Sequence, residues 1–453
     1  MEMNTYSGMK AIVIGLARSG VAAAWLLHRK GASVDITDSK PADLLEERIK
    51  TLPEGTGLFL GGHDGVSLGQ YGLAVISPGV PWDSPFASSV RKAGVEMISE
   101  IELACRHISA PIIAITGSNG KSTTTTLIGR ILQGMGKRVF VGGNLGEPLC
   151  DAATGNYDWV VAEVSSFQLE GIKTFRPKIS VITNITADHL DRHGNMESYA
   201  RLKSRVFEYQ GEGDTVILNA ADPGSTSLQP QSTVRIFRFN TQPRDGQGIV
   251  WAEEGSVYYD IPGHESGKLF NRDELLIKGP HNLENAMAAA LCALAAGADP
   301  RAIIDATCAF RGLPHRMELV GEINGVKFYN DSKGTNVDAT LKSLAGFDGD
   351  VALIAGGSSK GADFAPLAEE IKKRAKGVAL IGETAPQIEK ALGDYSPKGI
   401  VKTMEEAVAL AASWLSPGDS VLLSPACASF DMYKNFEDRG QVFGRAVAAL
   451  ERR

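Results

Sequence analysis

PIIAITGSNGKSTTTTLIGRILQGMG, Pro111–Gly136, runs from an apolar stretch through a burst of small polar residues around one lysine into an amphipathic segment. That order is the order of a buried strand (Ile112–Thr116), a glycine-bracketed loop and a helix starting at about Lys121. Glycines let the N–H groups of such a loop converge on phosphate oxygens, and the helix N-terminus adds partial positive charge. Lys121 would neutralise the β/γ oxygens, and the Ser122 hydroxyl would hold Mg²⁺. The common spacing is G-x-x-x-x-G-K-[ST]; here Gly117 and Gly120 bracket only Ser118 and Asn119, a shorter variant. The alternative is a glycine turn before a helix with an exposed lysine, and the strand–loop–helix context argues against it.

This stretch lies well inside a chain of 453 residues, a length that predicts about three domains. With 46 Lys and Arg against 53 Asp and Glu the net charge is −7, which argues against general nucleic-acid binding but leaves room for local basic pockets. The cysteines (Cys105, Cys150, Cys292, Cys308, Cys427) are odd in number and lack C-x-x-C spacing, so neither a disulfide framework nor a zinc site is expected. The opening MEMNTYSGMKAIVIGLARSG has too short an apolar run for a signal or a membrane span, and a cytoplasmic protein is expected.

Working outward, the pattern alternates between strand and helix. Before Pro111, Lys10–Gly15, Val34–Thr37 and Leu73–Ser77 read as strands and Ser19–Arg29 as a helix closed by Gly31. After it come strands Trp159–Glu163, Ile179–Asn184 and Thr215–Asn219. From Val234 to Ile277, VRIFRF, GIVWAEE and SVYYD alternate between glycines and predict a short β excursion. HNLENAMAAALCALAAG is helical, with Gly297 and Pro300 as its stop. FRGLPHR (Phe310–Arg316) breaks the helical pattern as a linker. A last α/β unit has strands Val326–Tyr329, Val351–Ala355, Gly377–Ile381 and Ser420–Ser424. The expected fold is α/β: three consecutive domains with mostly parallel sheets, Rossmann-like at each end and a phosphate loop in the middle, over 1–99, 100–312 and 313–453.

Ligands of parallel sheets bind at the carboxyl ends of strands. Glu163, and Asp188 with His189, stand just past strands and could share a site with Lys121, whereas His193 reads as a surface histidine and His28 and His63 as structural.

TGSNGKSTTT, EVSSFQLE, NITADHLDRHG, GPHNLENAMAA, GLPHRME, YNDSKGTN and SPACASFDMYKNFEDRG occur in this order. The series resembles the motifs of the Mur ligases, ATP-dependent amide-forming enzymes of peptidoglycan precursor synthesis, from about Gly117 to Gly440. Within the family the likeness is strongest to members that join D-glutamate to UDP-N-acetylmuramoyl-L-alanine. The resemblance implies that ATP phosphorylates a carboxylate and that an amine attacks the acyl phosphate. It implies that Gly117, Ser118, Asn119, Gly120, Lys121, Ser122 and Thr123 hold the triphosphate. Glu163, His189, Ser122 and Lys203 would be ligands of two Mg²⁺ ions, Lys203 as a carbamate. Without the resemblance, Lys203 beside Arg201 and Arg205 reads as a surface helix lysine.

The same resemblance implies that Asn282 and Asn285 contact adenine, although asparagines at a helix start also serve as caps. Arg316 and Asp331 would contact phosphate and ribose, with Lys333 near the nucleotide and His315 at the reaction centre. Thr335, Lys360, Ser429 and Phe436 would bind D-glutamate. In the first domain GLARSG (Gly15–Gly20) departs from G-x-G-x-x-G at Ala17, which weakens a dinucleotide reading. The resemblance implies that Leu16, Arg18, Ser19, Asp38, Ser77 and Asn144 bind the UDP part of the substrate. Asp38 is equally read as a turn or N-cap residue before Pro41. The expected partners are these small molecules and the expected state is a monomer. Rival readings are another Mur-type or folylpolyglutamate-type ligase, and a phosphate-loop ATPase switch; a nicotinamide dehydrogenase would rest on GLARSG alone.

Overall fold

Apolar runs that are buried on both faces make the centre of each sheet in the computed structural model, which describes residues 5–186, 190–241, 248–277, 279–347, 349–358 and 362–452. The first sheet holds β1 (Lys10–Ile14), β2 (Ser33–Asp38), β3 (Gly57–Leu60), β4 (Leu73–Ile76) and β5 (Glu96–Ser99). All are parallel, in the order β3-β2-β1-β4-β5. The order reverses between β1 and β4, so the loops leaving those strands border a crevice at their carboxyl ends. Gly20 permits the close approach of helix Arg18–Arg29, because a Cβ there would lie 2.1 Å from the Gly15 carbonyl oxygen.

The second sheet holds β6 (Ile112–Thr116), β7 (Val139–Gly143), β8 (Trp159–Glu163), β9 (Ile179–Ile182), β10 (Thr215–Asn219), β11 (Arg235–Phe239), β12 (Ile249–Glu253), β13 (Ser256–Asp260) and β14 (Gly267–Asn271). Its order is β14-β13-β12-β11-β10-β9-β6-β8-β7; β13 pairs antiparallel with both β12 and β14, and the other pairings are parallel. The expected β excursion is present as β11, β12 and β13, with β14 added. Its strands extend the central sheet, β11 pairing parallel with β10, and they alternate because one face there is solvated. β6 sits between β8 and β9, so the phosphate loop leaves from the interior of the sheet.

These two sheets belong to one compact unit, which runs to Glu274 and resumes over Glu284–Cys308. The helix Glu100–Cys105 ties them together. Its buried Glu102 accepts from the backbone N–H groups of Lys173, Thr174 and Phe175 at 2.9, 3.0 and 3.1 Å, and from Thr174 Oγ1 at 2.7 Å.

The other unit takes Leu275–Leu283 and the chain from Ala309. It holds β15 (Glu318–Ile323), β16 (Val326–Asn330), β17 (Val351–Ala355), β18 (Ala375–Leu380), β19 (Lys398–Ile400) and β20 (Ser420–Leu423), in the order β15-β16-β20-β17-β18-β19. β15 and β16 form an antiparallel hairpin and the rest is parallel. Because β20 inserts between β16 and β17, the loops after these three strands leave side by side. Pro300, expected to follow a helix stop, opens the helix Pro300–Cys308, as its fixed φ and missing N–H allow at a first turn. No described helix is long and apolar enough to cross a membrane.

Candidate active site

The phosphate loop has the backbone its glycines predict. Gly117 and Gly120 have φ of 145° and 83°. A Cβ on Gly117 would lie 1.9 Å from Thr183 Oγ1, and one on Gly120 would lie 2.1 Å from Asn285 Oδ1. The helix Lys121–Gly134 has Gly120 as its N-cap and no side-chain cap, which leaves its first N–H groups for an anion. Lys121 Nζ curls over the loop and donates to the carbonyls of Gly117 and Ser118 at 2.8 Å each.

The segment after β9 clamps this loop. Asn119 N donates to Asn184 Oδ1 at 2.9 Å, and Thr183 Oγ1 donates to the Asn119 carbonyl at 2.6 Å. Ser118 Oγ donates to the Thr186 carbonyl at 2.8 Å and lies 3.2 Å from Tyr199 Oη. Thr183, Asn184 and Tyr199 were not among the residues singled out in the sequence. Asn184 opens the quoted NITADHLDRHG motif, Thr183 is the residue before it, and Tyr199 precedes Lys203 by one helical turn.

Glu163 ends β8 beside β6 and is 2% exposed. Its Oε1 accepts from Asn144 Nδ2 at 2.6 Å, and its Oε2 has no hydrogen-bond partner among the described residues. A buried carboxylate oxygen without a donor is costly unless a cation or proton meets it. Asn144, assigned to the UDP site by resemblance, is thus brought to the central carboxylate.

Lys203 is also 2% exposed, which corrects the surface reading of its helix Met196–Ser204. Its Nζ donates to the Gly117 carbonyl at 2.8 Å and lies 4.6 Å from the centre of the Tyr199 ring. His193, expected on the surface, is buried. Its Nε2 is 3.0 Å from Ser166 Oγ and its ring stacks on Phe167 at 5.2 Å. Asp188 and His189 lie outside the described residues. Asn282 and Asn285 are both buried inside the helix Pro280–Ala295, past its cap, so capping does not account for them.

In the N-terminal crevice, Asp38 Oδ2 accepts from Leu16 N at 2.7 Å and Oδ1 accepts from Lys40 N at 2.9 Å. Asp38 therefore shapes the GLARSG loop and caps no helix; Pro41 is the residue before the 3₁₀ turn Ala42–Leu45. Leu16 buries its side chain in the core, which leaves only its backbone to a ligand. Ser77 Oγ donates to the Gly15 carbonyl at 2.8 Å. Arg18 is exposed, 3.4 Å from Glu147, and Ser19 lies in the first turn of a helix with no side-chain cap. His63 lies 2.8 Å from Thr37 Oγ1 and stacks on the Phe86 ring at 4.1 Å.

In the other unit, the loop after β16 carries Asp331, Lys333 and Thr335, the segment after β20 carries Ser429 and Phe436, and His315 precedes β15. His315 and Lys333 both flank Phe436: the His315 ring meets it edge-on at 6.3 Å, and Lys333 Nζ is 5.9 Å from its centre. Lys333 N donates to the His315 carbonyl at 3.0 Å, and Thr335 N to the Lys333 carbonyl at 2.9 Å. Asp331 is buried, and Ser343 Oγ and Ser424 Oγ donate to its Oδ2 at 2.7 and 2.8 Å. Burial raises the Asp331 pKa above the usual carboxylate range, against the pull of those hydroxyls and of Arg316. Ser429 is buried, and Phe436 begins the helix Phe436–Glu451. Lys360 lies outside the described residues.

Arg439, not singled out in the sequence, joins these loops. Its guanidinium donates to Ser332 Oγ and the Ser332 carbonyl at 2.9 and 2.8 Å, and to the carbonyls of Cys427 and Ala428 at 3.1 and 3.2 Å. It is 1% exposed, and burial brings its pKa down to about 10.

Three family models match the chain in succession: the Mur ligase MurD-like N-terminal domain over residues 9–99, the Mur ligase middle domain over 115–293, and the Mur ligase glutamate ligase domain over 315–427. The chain is 43% identical to the UDP-N-acetylmuramoylalanine–D-glutamate ligase of Geobacter metallireducens and 44% identical to that of Geotalea uraniireducens, covering 98% of each protein with 98% of its own length. Among solved structures it is similar to MurF from Acinetobacter baumannii (TM-score 0.61, 18% identity, covering 97% of this chain and 93% of that one). It is also similar to UDP-N-acetylmuramate-alanine ligase MurC from Thermotoga maritima (TM-score 0.59, 19% identity, covering 98% and 100%).

Proposed function

The chain belongs to the Mur ligase family, and we propose that it is the ligase that joins D-glutamate to UDP-N-acetylmuramoyl-L-alanine, with cleavage of ATP to ADP and phosphate. The observation that carries this reading is the uncapped helix start at Gly120 with Lys121 over it, in a chain whose whole length matches D-glutamate-adding ligases. The domains are taken as 1–99 for the UDP part, 100–312 for ATP and 313–453 for the amino acid and nucleotide.

The reaction needs little covalent work from protein groups, so positioning and charge neutralisation dominate. The N–H groups of the loop and of the helix start hold phosphate oxygens, and Lys121 swings from the loop carbonyls to the triphosphate. The substrate carboxylate attacks the γ-phosphorus, ADP leaves, and the D-glutamate amine then attacks the acyl carbon and expels phosphate.

The residues fit magnesium: Glu163 Oε2 is a buried carboxylate oxygen with no hydrogen-bond partner among the described residues, a donor type that Mg²⁺ takes. Ser122, Glu163, His189 and a carbamate on Lys203 would hold it. When bound, the metal offsets the charge between γ-phosphate and substrate carboxylate. Lys203 Nζ could keep its bond to Gly117 while bearing a carbamate, since one N–H remains.

The test is phosphate release across a panel of amino acids. Release should require UDP-N-acetylmuramoyl-L-alanine and D-glutamate together. Release without an acceptor, or equal response to another amino acid, would sink the reading.

A further inference from the structure

His315 leads one nitrogen into a polar cluster whose hydrogens can be assigned by elimination. Asn330, the last residue of β16, accepts from Ser332 N at 3.1 Å through its Oδ1. That bond fixes which end of the carboxamide is oxygen. Its Nδ2 then faces three atoms: His315 Nδ1 at 3.0 Å, the Gly440 carbonyl at 3.2 Å and Glu318 Oε2 at 3.4 Å. An amide nitrogen only donates, and the carbonyl and carboxylate only accept. The two amide hydrogens cannot serve all three atoms at once, but a proton on His315 Nδ1 would point at a nitrogen that cannot accept it, so the geometry favours a bare Nδ1 and a proton on Nε2. Glu318 Oε2 meanwhile accepts from His315 N at 2.8 Å, which holds the backbone below the ring.

From this geometry we infer that Asn330 is a positioning residue, which sets His315 as the Nε2–H tautomer and so presents a hydrogen-bond donor. The inference rests on the placing of His315 at the reaction centre. No described residue accepts from Nε2, and the ring is half-buried beside Lys333 and Phe436. A donor there suits an oxygen that gains negative charge as the acyl phosphate forms or as the amine attacks it. The opposite tautomer would offer only a lone pair. Of the charged groups near the ring, the Glu318 carboxylate faces the Asn330 amide and the Lys333 ammonium lies over the Phe436 ring.

Full-length protein labelled with ¹⁵N at histidine reads the tautomer, with the His315 signals identified by their loss in His315→Gln. The wild type should show an unprotonated Nδ1 and a protonated Nε2. In Asn330→Asp the facing atom accepts, and Nδ1 should gain a proton. If that variant does not fold, Asn330→Leu removes the donor and should leave a mixture of tautomers. A proton on Nδ1 in the wild type, or a wild-type pattern in the folded variant, overturns the inference. Turnover separates the two claims: kcat should fall at least about tenfold in Asn330→Asp. KM for D-glutamate should stay within about threefold. Undiminished turnover with a protonated Nδ1 also overturns the positioning role. Undiminished turnover in His315→Gln removes His315 from the reaction centre and leaves the tautomer assignment standing.

Discussion

Lys203 Nζ and the Gly117 carbonyl meet at 2.8 Å, which places the end of a buried helix side chain on the first glycine of the phosphate loop. The loop is thus supported from β6, from the segment after β9, and from the helix Met196–Ser204. Lys203 cannot act as an exposed lysine would.

Lys203→Ala should lower kcat by ~10² or more, as loss of a metal ligand or its support does. It also leaves the Gly117 carbonyl without this donor, so stability should fall by about 1–3 kcal/mol. Added short carboxylates should restore part of the turnover by supplying the missing anion. Steady-state rates with and without formate check this. A folded variant that formate does not rescue speaks against the carbamate.

Lys121→Ala should abolish turnover while denaturation midpoints move little. Its two bonds run to carbonyls of a partly open loop that water can reach, so their net worth is about 1 kcal/mol. Phosphate release and urea unfolding on one preparation separate loss of chemistry from loss of fold.

Much of the fold was legible because the decisive strands are apolar runs buried on both faces. Ile112–Thr116, Trp159–Glu163, Thr215–Asn219 and Val351–Ala355 have the bounds read from sequence. The unread strands lie at edges: β3, β5 and β19 are short, β7 ends in glycines, β14 begins with one, and Gly321 interrupts β15. The loop was legible for a local reason, since Gly, Lys and Ser act within one turn of chain. Asn330 and Arg439 were not, because their roles arise from bonds between loops distant in sequence, to His315 and to Ser332 and Cys427. No spacing rule announces such bonds.

Glu102 should make the two-sheet unit acid-sensitive. Burial pushes its pKa up, but the N–H groups of Lys173 and Thr174, the Thr174 hydroxyl and the Arg106 guanidinium together outweigh that and hold it below the usual value of 4.5. A carboxylate depressed on folding stabilises fully above its unfolded pKa, and the stabilisation fades as pH falls through the folded value. Glu102→Gln should cost about 1.5–3 kcal/mol at pH 7. The cost should shrink below pH ~4. Denaturant titrations of both proteins at several pH values measure it; a cost independent of pH contradicts the assignment.

Glu100 should behave oppositely. It is buried, with Oε1 accepting from Cys150 N at 2.7 Å and Oε2 unpartnered among the described residues. Burial pushes its pKa up to about 7. A carboxyl whose folded pKa is raised destabilises progressively as pH climbs from its unfolded value to its folded one, then no further. Wild-type stability should therefore drop between about pH 5 and 7 relative to Glu100→Gln. Parallel unfolding curves for the two proteins across that window exclude it.

Gly440→Ala separates helix propensity from site geometry. Gly440 lies inside the helix Phe436–Glu451, where alanine is intrinsically better by about 1 kcal/mol. A Cβ at that position, however, would lie 2.1 Å from His315 Nδ1, so the ring must move away from Asn330. His315 has φ +61°, and its backbone is held by Glu318, which leaves the displacement to the side chain. Secondary structure should thus be retained, kcat should fall at least about tenfold, and the Nε2–H pattern of His315 should be lost. Circular dichroism, turnover and the ¹⁵N histidine spectrum together decide it, and undiminished turnover would show that the ring position is irrelevant to the reaction.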